Sequence, residues 1–174
     1  IDLQIVTQAE SLDTFTSLRS DPDRFAEASA LLEVAERLAP EGEGDRRRYD
    51  MLVGALRTLD QRPSPLLVPA FFLKVLAHEG LAPTLDACVR CQATEHLVAI
   101  DVGEGGVLCD DCRRGRPVSE SALAVMRAVL GGHLATALEV EDARVCGEVD
   151  AVATDAVEYH LERRVRSRRV META

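Results

Sequence analysis

Apolar residues recur three and four positions apart at Phe25, Ala28, Leu31, Leu32, Ala35 and Leu38, directly behind Asp21-Pro22-Asp23. This spacing predicts a helix with one buried face, opened by an N-cap, a proline at its first position and an acidic first turn. Pro40 and Glu41-Gly42-Glu43-Gly44 end it. A second helix is expected over 45–59, with Tyr49, Leu52, Val53, Leu56 and Leu59 inward. Gln61-Arg62-Pro63-Ser64-Pro65 breaks the chain, and 66–79 is then apolar nearly all round until Gly80. A helix with no polar face belongs at the centre of a bundle. Beyond Pro83 the pattern shortens: 97–101 and 106–108 flank Val102-Gly103-Glu104-Gly105 as a hairpin. Ser119 caps a helix over 120–130, Gly131-Gly132 stops it, and a last amphipathic helix is expected over about 149–170. Ahead of these, 1–6 reads as a residual strand whose partners lie upstream, followed by a short helical stretch near 12–18. The opening at Ile1 suggests a fragment or a processed chain.

Composition sharpens the fold class. The 174 residues are 47% hydrophobic but include no Trp, two Tyr and four Phe, so the interior is built from Ala, Leu and Val. That suits close helix packing better than a broad sheet. The expectation is a mainly α protein: a helical bundle over 1–84 and 119–174, with an inserted zinc-ribbon-like module at 85–118. No apolar run approaches the roughly 18 to 20 residues that span a bilayer, and no signal-peptide layout opens the chain, which predicts a cytoplasmic protein. A net charge of −10 excludes a surface that coats nucleic acid throughout; any phosphate contact has to be local.

The sharpest chemical signal is two CxxC pairs, Cys88/Cys91 and Cys109/Cys112, with seventeen residues between them. Four thiolates at this spacing suit one tetrahedral, closed, structural Zn²⁺ site that bridges the hairpin. The competing uses are chance burial of thiols or a redox CxxC, and the latter needs a βαβ setting that the pattern lacks. Cys146 is left over as a buried thiol. His96 lies near the first pair but reads as a hairpin residue, and His78, His133 and His160 have no partner at ligand spacing. Gly103-Glu104-Gly105-Gly106 is a turn, since neither a Lys-Ser/Thr pair nor a helix start follows it.

Positive charge concentrates in two places: Arg113, Arg114 and Arg116 after the second pair, and Arg163, Arg164, Arg166, Arg168 and Arg169 near the end. Cations at a helix C-terminus complement the macrodipole, and Glu162 with Arg166 is a favourable pair, but neither effect accounts for five arginines within seven residues. Such density suits an anionic partner, either nucleic-acid phosphate or an acidic peptide. No HExxH, Walker loop, nucleophile elbow or paired carboxylates appear, so a binding role is expected rather than catalysis.

The stretch Phe71-Phe72-Leu73-Lys74-Val75-Leu76-Ala77-His78-Glu79-Gly80-Leu81-Ala82-Pro83, running into the four cysteines, resembles the RecO family of bacterial recombination mediators. Gln8-Ala9-Glu10-Ser11-Leu12 with Phe15 is similar to that family's exit from its N-terminal OB domain, and Leu161-Glu162-Arg163-Arg164-Val165-Arg166-Ser167-Arg168-Arg169 resembles its basic end. The resemblance implies a non-enzymatic protein, cytoplasmic and nucleoid-associated, that binds single-stranded DNA and anneals strands. It also implies loading of RecA together with RecR, and docking of the acidic, Phe-ending tail of single-strand-binding protein in a greasy pocket with a basic rim. The OB domain would lie before Ile1 and is absent from this chain, so DNA binding by this part alone is expected to be weak. The alternatives are a zinc-ribbon adaptor that binds only protein, and a hydrolytic or redox enzyme using metal or thiol.

Overall fold

The computed structural model describes residues 7–39 and 44–161. Helix α1 (Thr16–Ser20) leads into α2 (Pro22–Arg37), α3 (Arg46–Gln61) and α4 (Leu67–His78). A small sheet follows, made of β1 (Leu97–Asp101), β2 (Gly106–Cys109) and β3 (Arg116–Pro117), with a 3₁₀ turn at Asp110–Cys112. Helices α5 (Glu120–Leu130), α6 (Leu134–Ala137) and α7 (Ala143–Leu161) complete the described chain. It is mainly α, as expected, and no helix among the described residues is long and apolar enough to cross a membrane.

Capping chemistry sets the helix starts. Asp21 accepts from the Asp23 and Arg24 N–H groups, Asp45 from Arg47 and Arg48, and Ser119 from Ala122. These satisfy donors that an isolated helix leaves unpaired. Nine of the twelve α4 residues are buried, and the helix packs against α2, α3, α5 and α7. Pro69 sits in its first turn, where a missing N–H breaks no intrahelical bond.

Three expectations need correction. Phe25, Leu32 and Tyr49 face outward, at 56%, 49% and 59% exposure. The buried face of α2 keeps the expected Ala28, Leu31 and Ala35 and adds Ala30 and Val34, because α2 is wedged against α1, α3 and α4 and small residues allow close approach. The first helix starts at Thr16 rather than near Leu12, since Phe15 holds a left-handed φ of 44°. The last helix starts at Ala143, six residues early, because the Asp142 carboxylate accepts from the Arg144 and Val145 N–H groups. The expected strand at 1–6 and the last helix beyond Leu161 lie outside the described residues.

The sheet has order β2-β1-β3, all antiparallel, with Ala99 opposite Leu108 on one side and Pro117 on the other. Thr84 pairs with the hairpin before the cysteines begin: its N–H donates to Gly105, and its carbonyl accepts from Val107. Gly106 is required at this crossing, because a Cβ there would collide with the Thr84 backbone. Leu85, Leu97, Ile100, Leu108 and Val118 belong to the same buried cluster as the helices, so one continuous core runs under both. Arg127 of α5 reinforces the join by donating to the Leu85 carbonyl at 2.8 Å and 3.2 Å.

Candidate metal centre

Each cysteine pair sits on a turn that folds its second sulfur back. In the first, the Gln92 N–H donates to the Cys88 carbonyl and the Cys88 N–H to Ala93, with Gln92 in the left-handed region at φ 64°. In the second, Cys109 ends β2 and the 3₁₀ turn carries Cys112 around. The pairs are brought together by β-structure: the Val89 N–H donates to Val107 at 3.0 Å, and Asp110 N–H donates to the His96 carbonyl at 3.1 Å. His96 therefore serves the hairpin through its backbone, at φ 51°, and is not part of the ligand cluster.

The four sulfurs lie within 4.8 Å of one another, and Cys91 and Cys109 approach to 3.5 Å. A tetrahedron with metal–sulfur bonds of about 2.3 Å has sulfur–sulfur edges of about 3.8 Å, so the quartet already has the size of a zinc cage. Cys88 and Cys109 are buried, whereas Cys91 is exposed and Cys112 intermediate. Burial pushes the Cys88 thiol up, but backbone hydrogen bonds at Cys109, Cys91 and Arg90 outweigh it and hold the group down to about 6. The adjacent Cys91 sulfur, with burial, pushes Cys112 up to about 12. Four neighbouring thiols cannot all ionise by themselves; a divalent cation is what lets them. The residues fit a structural metal ion, which when bound would neutralise thiolate repulsion and cross-link the two turns.

The arginines near this centre are divided in their surroundings. Arg114 pairs with Glu104 and lies 3.8 Å from Asp101, while Arg116 reaches Asp155 of α7 at 2.6 Å. Arg113 is exposed, with no ion pair among the described residues. Glu104 also receives a two-pronged contact from Arg90, at 2.7 Å and 2.9 Å. Thus Arg116 clamps the sheet to the bundle. Arg163, Arg164, Arg166, Arg168 and Arg169 lie outside the described residues. Cys146 is buried, as expected, and donates to the Val140 carbonyl.

Two features escaped sequence reasoning. Asp45, His78 and Glu79 gather within 4.8 Å, but Arg48 fills the place of a cation there, 2.6 Å from Glu79 and 3.5 Å from Asp45. Thirty-three residues separate Asp45 from His78, so no local motif announces the cluster. The second is a cleft of about 250 Å³ between α3, α4 and α6, lined by Met51, Ala55, Phe71 and Leu134. Lys74, the chain's one lysine, stands on its wall with no ion pair among the described residues, while Asp50 beside it is engaged by Arg46. The apolar run of α4 supplies the floor of this cleft, but only tertiary packing opens it.

The model of the family described as Recombination protein O C terminal matches residues 19–169. A DNA repair protein RecO of Frankia casuarinae is 36% identical over 99% of this chain and 73% of its own length. One from Streptomyces griseus is 36% identical over 98% of the chain and 71% of its own. One from Anaeromyxobacter dehalogenans is 37% identical over 91% and 65%.

Proposed function

The chain belongs to the RecO family, and on that premise we propose that it is the helical and metal-stabilised part of a recombination mediator in DNA repair. The observation that carries this reading is the family match across 19–169, which takes in the central helix and all four cysteines. Within it, residues 85–118 form a module around one structural Zn²⁺ held by Cys88, Cys91, Cys109 and Cys112, set between helical segments 1–84 and 119–174. The protein works by binding rather than catalysis, in the cytoplasm and at the nucleoid. It cooperates with RecR to exchange single-strand-binding protein for RecA and assists strand annealing. Arg163, Arg164, Arg166, Arg168 and Arg169 contribute local phosphate contacts, with Arg113 as a lesser one.

The Lys74 cleft is the best fit for the acidic, Phe-ending tail of single-strand-binding protein. An apolar floor suits the ring, and an ammonium without a carboxylate partner among the described residues suits the terminal acid. A second reading, in which the described part meets only protein, is favoured by the charges of the metal module. Its six carboxylates outnumber its four arginines, and Arg114 and Arg116 are already paired.

Fluorescence titration separates these readings. Labelled single-stranded DNA is expected to bind weakly and to weaken further as salt rises. Neutralising the five terminal arginines should flatten that slope by about 0.7 for each phosphate that is no longer neutralised. The Phe-ending peptide is expected to lose affinity in Lys74→Glu. No binding of single-stranded DNA at low salt, with the Phe-ending peptide still bound, would leave the protein-only reading.

A further inference from the structure

Among the four ligands, Cys91 alone combines two features, exposure and a close sulfur neighbour on the other turn. It is the one exposed cysteine of the quartet, and its sulfur makes the 3.5 Å approach to Cys109 that crosses from one turn to the other. Exposure gives an electrophile access, and a neighbouring thiolate gives a resolving partner; together these are the requirements for reversible thiol oxidation. The buried fifth thiol, Cys146, has neither and serves as an internal reference.

We propose that Cys91 is a peroxide-modification site, whose oxidation to a Cys91–Cys109 disulfide opens the four-sulfur cage and lets its metal ion go. The inference rests on the metal-bound reading of the quartet. In the first step the Cys91 thiolate attacks one oxygen of hydrogen peroxide: an S–O bond forms, the O–O bond breaks, and hydroxide leaves. In the second, the Cys109 thiolate attacks the Cys91 sulfur: the S–S bond forms, the S–O bond breaks, and a second hydroxide leaves. Two electrons pass from the sulfurs to peroxide, and the metal keeps its charge. Cys88 and Cys112 remain, two ligands where four are needed to close a tetrahedral site.

The consequence is confined by geometry. Cys109 ends the β2 strand, and Val89 beside Cys88 is bonded to Val107 of the same strand, so loss of the cage loosens the hairpin first. Arg116 with Asp155, and Arg127 with the Leu85 carbonyl, then connect that loosening to α7 and α5. A DNA-binding repair protein would in this way carry a chemical readout of peroxide.

The test uses the whole chain. Zinc per chain is measured by elemental analysis, hydrogen peroxide is added in small excess, zinc release is followed with a chromophoric chelator, and disulfides are mapped by alkylation and mass spectrometry. The expected result is one zinc released per Cys91–Cys109 disulfide, an unmodified Cys146, and recovery on adding a dithiol with zinc. Cys91→His, which keeps a nitrogen ligand but removes the oxidisable sulfur, should release zinc about tenfold more slowly. A first disulfide within one pair, or zinc retained with all thiols intact, overturns the proposal. Less than one zinc per chain before peroxide is added would instead defeat the metal-centre reading itself.

Discussion

Helix α4 and the four-cysteine module hold their shape by opposite means. In α4, stability is spread over nine buried residues, each contributing about 1.5–3 kcal/mol where a large side chain is fully covered. In the module, three short strands and two turns contribute only a small edge of the common core, and the turns are joined by a few backbone hydrogen bonds, from Val89 to Val107 and from Asp110 to His96, to which the proposed metal ion would add a cross-link through four sulfurs. A distributed core degrades gradually under mutation, whereas a cage fails at its first missing ligand.

Removing the proposed metal ion gives the largest expected effect. Chelation, or Cys109→Ser, should forfeit apparent binding energy on the order of 10 kcal/mol and expose 85–118 to protease while α4 amides stay protected from hydrogen exchange. A module that resists protease without metal breaks the contrast. Phe72→Ala comes next, since Phe72 is fully buried in the middle of α4. It should cost about 3–5 kcal/mol in urea unfolding while leaving zinc stoichiometry unchanged. Gly106→Ala tests the seam between the regions, where the added methyl meets the Thr84 backbone. The expected cost is about 1–3 kcal/mol, read as a lowered urea midpoint, with early exchange confined to the hairpin.

The same contrast explains what could be read in the sequence. Asp21, Ser119, the hairpin turn and the cysteine spacing all act over a few residues or through fixed ligand geometry, and each is found where expected. The facing of α2 was only half legible. Phe25 and Leu32 share helical spacing with buried positions, and which side turns inward depends on α1, α3 and α4. The roles of Arg114 and Arg116 were less legible still, since Asp155 lies thirty-nine residues from Arg116. The start of α7 did carry signals, the Asp142 cap and a helical spacing of buried residues that already begins at Val145 and Cys146.

The smallest effect concerns the polar cluster that joins α3 to α4, a third means of holding two elements. His78 Nε2 lies 2.5 Å from the Asp45 carboxylate, and this contact, followed by the backbone hydrogen bond at Arg48, holds Asp45 below its ordinary 3.8. A carboxylate depressed in the folded state contributes stability that is fully present above its unfolded value and lost as pH falls through its folded value. The loss should therefore begin below pH 3.8 and not at neutral pH. Asp45→Asn keeps a side-chain oxygen for capping while removing the charge, so it isolates the electrostatic part. Urea midpoints of the two proteins should differ most at neutral pH and converge as pH falls below 3.8. Parallel curves down to the acid limit would mean that Asp45 acts only as a cap, leaving the α3–α4 join to apolar packing and to Arg48.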